Sequence, residues 1–116
     1  MDESRSFLER RTQWRVPVRI PVQYQLVEDP RELNLFYSHT ALAKDLSLEG
    51  MYIKTDRAVK IGDIFRLDIS IPKDSKQLFA FAEVVRLHEE GAGLKLMLMA
   101  TEDMAFLKSY LDQNAS

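Results

Sequence analysis

From Val16 to Leu26 apolar side chains occupy every second position: Val16, Val18, Ile20, Val22, Tyr24 and Leu26 alternate with Pro17, Arg19, Pro21, Gln23 and Gln25. Successive side chains of a strand point to opposite faces, so strict alternation over this length reads as a half-buried β-strand. The two prolines fall on the outward positions, which suits an edge strand or a bulge, where no ladder donor is needed. The same period returns at Phe65, Leu67, Ile69 and Ile71, interleaved with Arg66, Asp68 and Ser70 and ending at Pro72. These two segments set a β-rich class before anything else is considered.

The remaining chain fits around them. Residues 28–32 form a polar break, a weaker strand pattern runs from Phe36 to Lys44, and Met51 to Thr55 is a short strand after Gly50. Lys60-Ile61-Gly62-Asp63 reads as a turn and Lys73 to Gln77 as a polar hairpin. In Leu78 to Leu87, Ala80, Ala82 and Val84 share one face and Phe79, Phe81 and Val85 the other, which predicts a strand covered on both sides. Gly91-Ala92-Gly93 is expected to turn the chain into Leu94, Leu96 and Leu98. Thr101 then serves as an N-cap, with Glu102 and Asp103 favoured by the helix dipole. Met104, Leu107 and Leu111, flanked by Phe106 and Tyr110, make one apolar stripe on a closing helix. Short strands separated by turn residues point to a small antiparallel barrel or sandwich.

A chain of 116 residues suits one domain. It contains no cysteine, which excludes a disulfide framework, a thiolate nucleophile and cysteine-ligated metal. No stretch approaches the run of about 20 apolar residues that a spanning helix needs, and the acidic, polar start does not read as a signal peptide. The expectation is a cytoplasmic protein without membrane insertion. The formal net charge is -2, which argues against a broad nucleic-acid-coating surface. The basic residues are nevertheless segregated. The first lysine is Lys44, and five of the nine arginines (Arg5, Arg10, Arg11, Arg15 and Arg19) lie within the first 19 residues. Arginine is a planar fork that matches phosphates, where lysine is a point charge.

Two constellations could carry chemistry. Arg10-Arg11-Thr12-Gln13-Trp14-Arg15 precedes the first strand. Its guanidinium groups can bond a phosphate in bidentate fashion, match guanine O6 and N7, or stack on a base. Alone, it is equally a solvated basic arm with Trp14 packed on the barrel. Asp45-Leu46-Ser47-Leu48-Glu49-Gly50 lies between two candidate strands. Alternation would send Leu46 and Leu48 to the core and leave Asp45 and Ser47 together outside, where a carboxylate can accept from the N1 and N2 donors of guanine. Gly50 permits a positive φ or the close approach of a bound group. Alone, this segment is more often a well-made β-turn.

Taken together, an arginine arm followed by Asp-x-Ser-x-x-Gly on a small barrel resembles the PilZ family of bacterial cyclic di-GMP receptors. The halves of that family's signature, Arg-x-x-x-Arg and Asp/Asn-x-Ser-x-x-Gly, stand here as Arg11 to Arg15 and Asp45 to Gly50 with no departure at a defining position. The resemblance implies a six-stranded antiparallel β-barrel over residues 16–116 with a C-terminal helix, and a flexible ligand-binding arm over residues 1–15. It implies that Arg11 and Arg15 bind phosphate and the guanine Hoogsteen edge, that Asp45 and Ser47 face guanine, and that Gly50 allows close approach. Arg10 sits where a basic residue accompanies two stacked ligand molecules in the family, which extends the expectation to a ligand dimer. Ligand would fold the arm across the barrel, and with no output domain on the chain the signal would pass to an unidentified effector protein.

Other chemistry finds no support. His39 and His88 are far apart, with no His-x-x-x-His, so no metal site and no cofactor are expected. Ser47 sits in no Gly-x-Ser-x-Gly elbow, Glu89-Glu90 reads as a solvated turn, and Met97, Met99 and Met104 read as core filling. No enzyme is expected. Two alternatives stay open: a PilZ-like protein–protein adaptor that binds no nucleotide, and a small barrel for single-stranded nucleic acid, which the acidic total disfavours.

Overall fold

The computed structural model describes residues 16–27, 39–55, 58–71 and 74–114. Among the described residues six strands, β1 (Val16–Leu26), β2 (His39–Leu46), β3 (Gly50–Lys54), β4 (Ile64–Ile71), β5 (Lys76–His88) and β6 (Gly91–Met99), are followed by one helix, α1 (Thr101–Asn114). They close into an antiparallel barrel in the order β1-β2-β3-β6-β5-β4. The alternation of β4 is realised as expected, and that of β1 from Ile20 to Tyr24, whereas Gln25, expected outward, is buried and Val18, expected inward, only partly so. Val16, Ile20, Val22 and Tyr24, with Phe65, Leu67, Ile69 and Ile71, point inward and are buried. Leu46, Met51, Ile53, Leu78, Val84 and Leu94 complete the interior from the other strands. Leu107 and Leu111 of α1 join the same core, with Phe106 and Tyr110 packed against it.

The prolines of β1 lie in the part of that strand that pairs with β2 alone, because pairing with β4 begins only at Val22. The register also shifts between Pro17 and Ile20. A residue without an N–H is tolerated where one flank has no ladder to supply. The Lys60–Asp63 turn forms as expected: Gly62 takes φ +98°, the Asp63 N–H donates to the Lys60 carbonyl at 3.0 Å, and Asp63 Oδ2 accepts from the Lys60 N–H at 2.9 Å.

Several boundaries and faces differ from the sequence expectation. β2 runs His39–Leu46 and β3 Gly50–Lys54, each displaced from the Phe36–Lys44 and Met51–Thr55 spans. The last β-turn falls on Glu89-Glu90, so Gly91 opens a strand rather than turning the chain. A bulge breaks the period of β6: Phe81 pairs with Leu98 but Ala82 with Leu96, leaving Met97 as the extra residue. Leu98 and Met97 are consequently exposed, not core, and Met99 and Met104 are only half-buried. The outward face of β5 is likewise uncovered, with Phe79, Phe81 and Val85 in contact with solvent. At the helix start the Met104 N–H donates to the Ala100 carbonyl at 2.9 Å, which makes Ala100, not Thr101, the capping residue. Residues 1–15, including the arm, lie outside the described residues.

Candidate functional site: the β2–β3 turn and its outward row

Asp45-Leu46-Ser47-Leu48-Glu49-Gly50 forms the end of β2 and the turn into β3. Leu46 is inward and fully buried, so the preceding Asp45 faces outward by alternation. A register shift between Ala43 and Asp45 inserts Lys44 as an extra residue on β2, the two-against-one pattern of a bulge. Past this shift Asp45 pairs with Tyr52, and its Oδ1 accepts from the Tyr52 N–H at 3.0 Å. The carboxylate is thereby held flat against β3, one oxygen committed to backbone.

Ser47 is buried, which corrects the expectation that it shares the outer face with Asp45. Its Oγ accepts from the Glu49 and Gly50 N–H groups, both at 3.2 Å, and donates to the Gly50 carbonyl at 3.2 Å. The Ser47 N–H donates to the same carbonyl at 2.9 Å. A hydroxyl has one donor and two lone pairs, so all of them serve the turn. The strand period ends at Leu46, and the turn's own hydrogen bonds decide where Ser47 points. The turn is also fastened to β6, where the Leu96 N–H donates to the Glu49 carbonyl at 2.7 Å. Gly50 completes the fit. A Cβ there would run into the Leu94 carbonyl oxygen and approach the Leu94 carbonyl carbon and Lys95 Cα, so the close approach this glycine permits is that of the β6 backbone.

The barrel register extends the site beyond the motif. Asp45 pairs with Pro17 on β1 and Tyr52 on β3, Tyr52 with Gly93 on β6, and Gly93 with Arg86 on β5. Five strands thus present one outward row: Pro17, Asp45, Tyr52, Gly93, Arg86. The missing side chain at Gly93 lets Arg86 lie across β6, its Nε 3.5 Å from where a Cβ would stand. Gly91 gives Tyr52 the same room, its Oη 2.8 Å from the equivalent point. The Tyr52 ring meets His88 edge-on, with centroids 5.1 Å apart at 84°. A carboxylate, an aromatic ring and a guanidinium therefore stand side by side over a glycine floor. Beside this row lies a groove of about 680 Å³ whose lining includes Leu42, Lys54 and Glu90, and Lys54 and Glu90 are an exposed ion pair at 3.7 Å.

Tyr52 and Arg86 escape sequence reading because nothing in their spacing links them. The usable signal was the pair Gly91 and Gly93 in an otherwise apolar segment, since glycine inside a strand marks close approach of something else. Arg10, Arg11 and Arg15 lie outside the described residues. What the fold fixes is their point of attachment: Val16 pairs with Leu46, so the arginine segment joins the barrel beside the turn that carries Asp45, Ser47 and Gly50. The two histidines are not together. His39 packs its ring on Tyr24 at 5.5 Å between centroids, while His88 sits against Tyr52. Among the described residues no cluster of three His, Asp or Glu side chains could hold a metal ion, and no helix is long and apolar enough to cross a membrane.

The described residues thus form a small closed antiparallel barrel with a hydrogen-bonded turn at one end and a polar row on its outer wall. This chain belongs to the PilZ domain family, whose sequence profile matches residues 9–113. Its structure is similar to that of the Bacillus subtilis inhibitor of motility MotI/DgrA, with TM-score 0.72 and 22% identity over 87% of this chain and 49% of that one. The chain therefore spans about half the length of that neighbour. It is also similar to the PilZ domain of CeSA from a cellulose-synthesizing bacterium, with TM-score 0.66 and 14% identity over 89% of this chain and 99% of that one. A third likeness is to the PilZ domain of YcgR from Escherichia coli with c-di-GMP, with TM-score 0.67, 12% identity and 88% of each chain covered. At these identities the likeness is one of fold. Among curated proteins none matches the sequence.

Proposed function

We propose that this chain is a cyclic di-GMP receptor that binds no cofactor, catalyses no reaction and signals in trans to an effector protein in the bacterial cytoplasm. One observation carries the reading. The pairing of Val16 with Leu46 joins an intact Arg-x-x-x-Arg segment to the barrel at the turn built by Asp-x-Ser-x-x-Gly. Arg15 and Asp45 are separated by 29 positions in the sequence, and the pairing of Val16 with Leu46 starts the described chain beside the turn, which supports the two halves acting together.

The roles follow from chemistry. Arg11 and Arg15 supply bidentate forks for the two phosphates and the guanine Hoogsteen edges, and Arg10 adds a third cation for a stacked ligand dimer. Asp45 offers its carboxylate to the N1 and N2 donors of guanine from a position held by the Tyr52 N–H. Ser47 and Gly50 act by shape: the hydroxyl holds the turn closed and the glycine lets it lie on β6. Tyr52 offers a face for base stacking and Arg86 a further guanidinium. Ordering residues 1–15 on the ligand opposes binding, so affinity on the order of micromolar or somewhat tighter is expected.

The test is displacement of fluorescent cyclic di-GMP from the full chain. Unlabelled cyclic di-GMP should displace it, and GTP or an oligonucleotide should not. Loss of a charge-assisted bond is worth about 1.5–3 kcal/mol, or roughly 10- to 100-fold in affinity. Arg11→Ala, Arg15→Ala and Asp45→Ala should each weaken binding by that much. Full affinity in Arg11→Ala and Asp45→Ala would reject this site, and displacement by an oligonucleotide would favour the nucleic-acid alternative.

A further inference from the structure

On the wall away from the β2–β3 turn, the outer face of β4, β5 and β6 is apolar at its centre and charged at both borders. Phe81 stands between Arg66 on β4 and Leu98 on β6 in one cross-strand row, and Phe79 pairs with Asp68 in the next. Phe79, Phe81 and Leu98 keep 47%, 38% and 65% of their surfaces exposed. They line a shallow cavity of about 400 Å³ that runs from Arg66 to Asp103 at the start of α1. The helix does not cover this face, because its apolar side is committed to the barrel interior through Leu107 and Leu111. Contiguous exposed apolar surface of this kind marks an interaction site more often than a scatter of single side chains does.

The charges say what would fit. The Arg66 guanidinium lies over the Phe79 ring, 5.8 Å from its centroid, and makes no ion pair among the described residues. It has Asp68 two residues along the same strand face, and that carboxyl is pushed above its ordinary range by burial, an effect that Arg66 opposes. On the opposite border Asp103 accepts from the Phe79 N–H at 3.3 Å and holds Lys76 at a loose 3.9 Å. Cation, apolar centre and carboxylate thus follow one another across β4, β5, β6 and α1. A two-fold axis through the Phe79–Phe81 centre would exchange the two borders, setting each Arg66 against the other copy's Asp103 in place of its loose contact with Lys76 and burying the aromatic centres together. Self-complementarity under a two-fold is what an isologous contact requires.

We propose that this face is a homodimer interface, and that its occupant is a second copy of this chain. The assignment does not rest on nucleotide binding. It is tested by sedimentation velocity on the full chain without nucleotide, from micromolar to millimolar concentration. Wild type should rise with concentration from 13.5 kDa towards twice that mass. Leu98→Glu, at the most exposed position of the patch, should keep its circular dichroism and stay monomeric. Arg66→Glu and Asp103→Arg should each weaken self-association at least 10-fold, while an equimolar mixture of the two should associate again. In the mixed dimer the carboxylate introduced in one chain faces the guanidinium introduced in the other, and the second border keeps the native pairing of Arg66 with Asp103. A wild type that is monomeric at every concentration overturns the proposal and leaves the face to another partner. A dimer insensitive to Leu98→Glu also overturns it, whether or not Asp103→Arg folds.

Discussion

Gly50→Ala separates two accounts of the same glycine. If Gly50 serves the barrel, a methyl group should damage the fold before any ligand is present. The added Cβ would meet the Leu94 carbonyl oxygen head-on, with the Leu94 carbonyl carbon at 3.0 Å and Lys95 Cα at 3.2 Å. All three are backbone atoms, so relief comes only by moving β3 away from β6. Forcing one extra methyl into a packed site costs about 1–3 kcal/mol. Straining the Glu49–Leu96 bond of 2.7 Å and the Ser47–Gly50 bond of 2.9 Å adds about 1 kcal/mol for each one lost. A total of about 3–5 kcal/mol, with both bonds lost, is a large part of the roughly 5–15 kcal/mol that stabilises a domain. In a domain of this size it lowers Tm by about 10 °C or more. Thermal and urea unfolding followed by far-UV circular dichroism measures this directly. Gly91→Ala is the companion variant, since its Cβ would strike the Ile53 carbonyl oxygen and it lies outside the motif. Both should lose stability together. A Gly50→Ala protein within about 1 °C of wild type that no longer binds cyclic di-GMP would refute the structural reasoning and return this glycine to the ligand.

Two further outcomes follow from single side chains. Asp68 Oδ1 is buried without a hydrogen-bond partner among the described residues, and burial raises its pKa against the opposing pull of Arg66. The folded state thus holds the proton more tightly than the unfolded one, and the ionised group destabilises the fold above the ordinary carboxylate range. Asp68→Asn should therefore melt higher than wild type at neutral pH and lose that advantage as pH falls through about 4; an advantage that grows on acidification would contradict the assignment. Arg86→Ala and Tyr52→Ala should weaken cyclic di-GMP binding, by about 10- to 100-fold for the guanidinium and about 5- to 100-fold for the ring. Because Arg86 is exposed and Tyr52 half-buried, Tm should move little, and unchanged displacement curves would remove both from the site.

How far the sequence reached depended on which force set each position. β1 and β4 were legible because one face of each strand fills the barrel, and burial enforces the alternation except at the Pro17–Ile20 shift and at the buried Gln25 of β1. The Gly62 turn was legible because a positive φ selects glycine. β5 misled, since Phe79 and Phe81 look like the second buried face of a covered strand while the barrel has only one inside. β6 misled for a different reason: the extra residue Met97 reverses the faces beyond it, and one bulge is invisible to any periodicity count. At the site, Asp45 was read correctly as outward, whereas Ser47 was not, because the turn's hydrogen bonds and not the strand period orient it. Tyr52 and Arg86 are joined to Asp45 only by cross-strand register, which no local pattern encodes. The arginine segment precedes Val16 in the sequence, and the Val16–Leu46 pairing fixes only where the described chain begins, beside that turn.

Isothermal titration calorimetry of cyclic di-GMP into the full chain tests the central claim most directly. The account predicts a saturable heat with a dissociation constant on the order of micromolar or tighter. Stoichiometry near two ligands per chain is the signature of the stacked dimer that Arg10 implies, and near one of a single molecule. A flat trace with folded protein at high concentration would contradict the account and leave the barrel as an adaptor without nucleotide.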